Sequence, residues 1–158
     1  MAEARQPPKG FKEPNAIDRM INRAFGFLLK AGIGLPHNYL LEVRGRKTGR
    51  TYATPVNVLE HGGRRYLVAP RGYTQWVRNA EASGEATLVR GARRERIRLR
   101  AVPDQAKAEL LKIYLDRFKL TVQRYFPIPA GSSKESFAPL SGRYPVFELT
   151  RNEAASDN

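Results

Sequence analysis

Gly45-Arg46-Lys47-Thr48-Gly49-Arg50 is the segment of this sequence best suited to hold an anion. Glycines let a loop bend until backbone N–H groups converge, and here cationic side chains and a hydroxyl surround the bend. The order is not the G-x-x-x-x-G-K-[ST] of a phosphate-binding P-loop, and strand-forming residues follow it instead of a helix. The residues alone leave two readings open, an anion cradle and a solvated basic turn. A second group is Val68-Ala69-Pro70-Arg71-Gly72 with Gln75, Trp76 and Asn79. Trp76 and Asn79 are three apart and share a face on a helix. The indole offers a plane for a flat ligand and the amide a polar edge; the competing reading is a core Trp with a capping Asn.

Other chemistry is missing. There is no cysteine, which removes disulfides, thiolate metal sites and thiol nucleophiles. His37 and His61 stand alone, and neither H-E-x-x-H nor G-x-S-x-G occurs, so no metal site is expected. Redox chemistry would need an external cofactor, because no side chain here performs it. No catalytic residue is named by the sequence.

The elements that must position these groups follow from periodicity. Residues 1–14 hold three Pro, a Gly and several charges and read as a flexible arm. Ile17, Met20, Ile21, Ala24, Phe25 and Leu28 recur at helical spacing. That helix would lie on a sheet or, with Arg19, Arg23 and Lys30 on its polar face, touch a membrane surface. Strands are predicted over 39–43, 51–59, 66–69, 86–89, 93–102 and 145–149, and a short helix over 75–82. His61-Gly62-Gly63-Arg64 is a hairpin turn. In the fifth strand Ile97, Leu99 and Ala101 face one way and Arg94, Arg96, Arg98 and Arg100 the other, an outer face that would blunt a sheet edge. A helix begins at Pro103-Asp104 and runs, with a break, to Tyr125-Phe126. Residues 127–145 read as a surface loop, and 152–158 as a polar tail. Six antiparallel strands with two to three helices fit a small barrel within one domain, residues 15–151.

The 158 residues carry 28 Lys+Arg against 15 Asp+Glu, a net charge of +13. Such a field attracts anions, whether nucleic acid, anionic lipid or a small multiply charged molecule. No apolar run is long enough to span a membrane and no secretory leader is visible, so a cytoplasmic protein is expected, with possible attachment to the inner membrane face.

Leu41-Glu-Val-Arg-Gly-Arg-Lys-Thr-Gly-Arg50, Thr54-Pro-Val-Asn-Val58, Tyr66-Leu-Val-Ala69 and Gln75-Trp-Val-Arg-Asn79, in that order, resemble the deazaflavin-dependent nitroreductases. These are a branch of the flavin/deazaflavin oxidoreductases, and the likeness runs from about residue 38 to 102, with an echo in Tyr144–Leu149. The resemblance implies an α+β, mainly β fold: the FMN-binding split β-barrel of pyridoxamine phosphate oxidases. It also implies coenzyme F420, a deazaflavin with a phosphate and an oligoglutamate tail, used mostly in actinobacteria and some archaea.

Carried over, Arg46, Lys47 and Thr48 would contact the phosphate and acidic tail. Tyr52, Thr54, Pro55, Val56 and Asn57 would line the cofactor. Ala69, Pro70, Arg71 and Gly72 would approach the ring, with Gln75, Trp76 and Asn79 closing the site. Tyr114, Tyr125 and Tyr144 are candidates for the substrate side. The implied reaction is hydride transfer from reduced F420 to a small electron-poor acceptor, a quinone, enone or nitroaromatic. The alternatives are a non-catalytic deazaflavin, fatty-acid or lipid binder and an FMN-dependent reductase. Nucleic acid is not an expected partner, and a monomer or homodimer fits the family.

Overall fold

The computed structural model describes residues 36–152. The N-terminal arm, the helix expected over 17–28 and the tail from 153 lie outside the described residues. Six strands form one closed antiparallel barrel: β1 (Asn38–Arg44), β2 (Thr51–His61), β3 (Arg64–Val68), β4 (Glu85–Arg90), β5 (Arg93–Ala101) and β6 (Val146–Arg151). Their order around it is β1-β2-β3-β6-β5-β4, and β4 closes on β1. This is the split-barrel architecture expected above.

Three α-helices complete the described fold: α1 (Gln75–Ser83), α2 (Lys107–Val122) and α3 (Lys134–Phe137). Gly62 and Gly63 both adopt left-handed φ (+59° and +75°) between β2 and β3. That geometry matches the twist of a two-residue hairpin and excludes most side chains.

Alternation along the strands builds two apolar layers. Leu41, Val43, Val58, Leu67, Leu88 and Ile97 fill the barrel. The intervening residues Leu59, Tyr66, Val68 and Val146 point outward and pack beneath α2 and α3. Both faces of β3 are therefore buried. Leu111, Tyr114, Leu115 and Phe118 supply the apolar face of α2. Phe118 is itself non-helical (φ −111°, ψ 21°), which is the break expected in this helix.

Two expectations are corrected. Residues 127–145 are not a loop over the surface, because Phe137 is 0% exposed and Leu140 and Tyr144 are also buried in the outer layer. The arginine face of β5 does not guard an edge, because β4 and β6 flank the strand. Its arginines meet acids instead: Arg94 pairs with Glu42, Arg96 with Glu85 at 3.5 Å and Arg100 with Glu148 at 3.8 Å. Packed structure also reaches the first residue assigned to the tail, since Asn152 is buried and its amide donates to Glu85 at 3.1 Å.

Candidate functional site

At one end of the barrel β1 leaves at Arg44 and β2 returns at Thr51. The six residues between them form a tight loop, closed by Gly45 N–H donating to the Arg50 carbonyl at 2.7 Å and Gly49 N–H to the Gly45 carbonyl at 3.0 Å. Gly49 sits at φ +72°, where a side chain would be strained. A Cβ on Gly45 would lie 2.6 Å from the Tyr52 ring, so the glycine lets that ring fold back over the loop. There the Tyr52 hydroxyl shares a hydrogen bond with Thr48 Oγ1 at 3.2 Å, and Thr48 Oγ1 also accepts Arg50 N–H. Lys47 and Arg50 are exposed and have no carboxylate partner among the described residues.

At the same end β3 runs out through Ala69, Pro70 and Gly72 into α1. Gly72 N–H donates to the Ala69 carbonyl at 3.1 Å, and Gly72 adopts φ +81°. Val77 and Ala80 of α1 are fully buried among the interior apolar residues, and Trp76 packs half-buried with its ring 6.1 Å from that of Phe147. The indole therefore helps to seal this end of the barrel. Exposed Gln75 and buried Asn79 both reach the basic loop. Arg46 Nη1 donates to Gln75 Oε1 at 3.1 Å and to Asn79 Oδ1 at 2.7 Å, and Arg46 N–H donates to the same Oδ1 at 3.2 Å.

The structure thus brings together Arg46, Gln75 and Asn79 from segments about thirty residues apart, and separately Thr48 with Tyr52. On β2, Thr54, Pro55, Val56 and Asn57 are half-buried. The Asn57 side chain lies beside the Tyr114 hydroxyl and favours its ionised form slightly. Burial raises the pKa of Tyr114 well above the ordinary phenol range. Tyr144 is also buried; its hydroxyl donates to the Tyr125 carbonyl at 2.6 Å, and its ring stacks on Phe126 at 4.5 Å. Tyr114 and Tyr144 therefore belong to the outer core, whereas Tyr125 is half-buried beneath the Arg124 guanidinium.

Thr74 went unnoticed in the sequence. It stands at the N-cap of α1, yet its side chain makes no capping hydrogen bond, and its Oγ1 is buried without any partner. A Thr directly before a helical stretch was the available signal. The first turn of α1 has no acidic residue. A buried orphan hydroxyl, an uncapped helix start, Arg46 and Lys47 together favour a negatively charged ligand, so the donor set fits a cofactor bearing phosphate and carboxylates. A wider depression of about 700 Å³ opens elsewhere on the barrel, lined by Tyr39, Arg65, Arg93, Glu95 and Arg151 among others. Arg65 and Glu95 satisfy one another there, and none of the residues offered in the sequence as cofactor or substrate contacts lines it. No group of three or more acidic or histidine side chains able to hold a metal occurs among the described residues.

Among solved structures, the chain is similar to an F420-H2 dependent reductase (FDR-A), at 16% identity and TM-score 0.50, covering 73% of this chain and 95% of that one. It is also similar to Atu2129, a protein of unknown function from Agrobacterium tumefaciens str. C58, at 16% identity and TM-score 0.52. That match covers 92% of this chain but only 59% of the other protein's length. A FAD-binding protein from Mesorhizobium loti aligns at 11% identity and TM-score 0.50, over 82% of this chain and 89% of that one. At these identities the likeness concerns the fold alone. No curated protein sequence gives a significant match. The family model described as F420H(2)-dependent quinone reductase matches residues 15–124, the greater part of the sequence, and the chain belongs to that family.

Proposed function

We propose that this protein binds reduced coenzyme F420 at the loop–helix end of the barrel and reduces an electron-poor acceptor of the quinone, enone or nitroaromatic class. Membership of the F420H(2)-dependent quinone reductase family supports an F420-dependent oxidoreductase; the acceptor class and the site residues are our reading. The observation that carries it is the Arg46 guanidinium held against α1 beside Lys47, whose ammonium has no carboxylate partner among the described residues. Single exposed ion pairs contribute little. Clustered cations facing a polyanion act as one field.

Arg46, Lys47 and Thr48 bind the phosphate and acidic tail in this reading. Ala69, Pro70, Arg71 and Gly72 bring backbone close to the ring, and Thr54, Pro55, Val56 and Asn57 line the strand beside it. Trp76 shields the interior of the barrel from water. When bound, the reduced deazaflavin supplies the hydride, and the protein's part is to orient donor and acceptor and to exclude solvent. The buried phenols of Tyr114 and Tyr144 stay protonated at neutral pH, and that of Tyr144 makes an internal hydrogen bond.

Fluorescence titration with F420 tests the site. Arg46→Ala combined with Lys47→Ala should weaken binding by about 1–3 kcal/mol, the scale of lost charge-assisted hydrogen bonds. Unchanged affinity would place the acidic tail elsewhere. Tighter binding of FMN than of F420 would overturn the cofactor assignment. Menadione added to the protein with reduced F420 tests turnover, and tight binding without acceptor-dependent oxidation would identify a carrier.

A further inference from the structure

We infer that Asn79 is a positioning residue, which acts on the cofactor's anions through Arg46 and does not touch the ligand itself. This rests on the F420 reading above. Asn79 is 5% exposed, and its Oδ1 accepts both the backbone N–H and Nη1 of Arg46. An amide oxygen has two lone pairs, so those two bonds fill it. Gln75, one helical turn earlier, adds a second acceptor to the same Nη1.

The chemistry of the two acceptors matters. A carboxylate at either position would hold the guanidinium equally well, but it would cancel the charge that an anion needs. Asn and Gln are neutral. They fix the orientation of Arg46 and leave its full positive charge, with the Nε and Nη2 donors, available to a ligand. Holding the side chain in place before binding also moves its loss of rotamer freedom from the binding step to folding. The backbone bond from Arg46 N–H to Asn79 anchors the loop at the residue after Gly45, so loop and helix are set as one unit.

The test combines two readouts. The first is F420 affinity of Asn79→Ala, Arg46→Ala and the double variant at several salt concentrations. Each single substitution should weaken binding about tenfold, the scale of one charge-assisted hydrogen bond. The double variant should be no weaker than Arg46→Ala, and Asn79→Ala should flatten the salt dependence as Arg46→Ala does. Independent losses, or an unchanged salt dependence in Asn79→Ala, would mean that the amide meets the ligand directly and would overturn the inference.

The second readout needs no cofactor. Trypsin should cleave after Lys47 several-fold faster in Asn79→Ala, because the loop is released from the helix. An unchanged rate overturns the tether whatever the ligand proves to be. If the unsubstituted protein does not bind F420, the functional reading fails while this arm still judges the tether. Asn79→Asp separates the two roles and guards against a general folding defect. It should keep the slow cleavage yet bind F420 more weakly than the unsubstituted protein, and affinity equal to that protein's would sink the argument from charge.

Discussion

Arg65 and Glu95 meet fork to fork, Nη2 to Oε1 at 2.6 Å and Nη1 to Oε2 at 2.9 Å, joining β3 to β5, two strands that β6 separates. Both side chains are mostly shielded, at 27% and 30% exposed.

The Arg65 hydrogen bonds hold the Glu95 carboxyl below its usual range, against an opposing effect of burial. In the unfolded chain that carboxyl takes up a proton at higher pH than in the folded one. The stability it contributes is therefore present above the ordinary carboxylate range and lost as pH falls through the lower folded value. Glu95→Gln should cost about 1–2 kcal/mol at pH 7, after allowance for partial solvent screening. In urea denaturation the difference should shrink at pH 3. An equal difference at both pH values would show that the pair contributes no charge-dependent stability.

His37 behaves in the opposite chemical sense but with the same sign in pH. Burial lowers its pKa, and Arg90 and Arg117 lower it further; its ring lies 4.7 Å from that of Phe118. The unfolded chain binds this proton more readily than the folded one. Stability therefore falls as pH drops from the ordinary histidine range through the lower folded value. Melting temperatures between pH 7.5 and 5.5 should decline more steeply in the unsubstituted protein than in His37→Gln. Parallel slopes would contradict this.

Phe137→Ala removes a fully buried ring that meets Phe126 edge-on at 6.4 Å. The expected cost is about 3–5 kcal/mol, from lost burial and the cavity left behind. A loss under about 1 kcal/mol in chemical denaturation would indicate that the segment around it collapses to fill the gap.

Gly72→Ala addresses the segment leading into α1. The residue has φ +81°, and a Cβ would lie 3.3 Å from the Arg143 carbonyl. Backbone strain alone should cost about 1–2 kcal/mol, with a parallel drop in F420 affinity if this segment lies against the ring. Full stability with lowered affinity would separate the two effects.

The barrel was legible because its strands alternate and its turns carry glycines that only certain geometries accept, as at Gly62-Gly63. The segment around Phe137 was misread because Pro and Ser dominate its composition, while three spaced apolar residues decide its packing. Periodicity cannot detect burial supplied by scattered anchors. The basic loop and the Gln75–Asn79 helix were both visible in the sequence. Their contact was not, because a hydrogen bond between residues 46 and 79 leaves no local pattern. Tyr114, Tyr125 and Tyr144 are candidates for the substrate side through the resemblance, with no motif of their own to place them. The Tyr114 and Tyr144 rings are buried and the Tyr144 hydroxyl is committed to the Tyr125 carbonyl, which no spacing rule reveals.

The ion pairs along β5 have an electrostatic consequence for the basic loop. Glu42, Glu85 and Glu148 lie against Arg94, Arg96 and Arg100 on the outer face and offset their charge. Lys47 and Arg50, at the tip of the β1–β2 loop, have no such neighbours among the described residues. The positive charge of that loop is therefore less offset than the charge of these three β5 arginines. An approaching polyanion would be drawn to the loop before contact, and its capture rate should slow as added salt shortens the reach of that field.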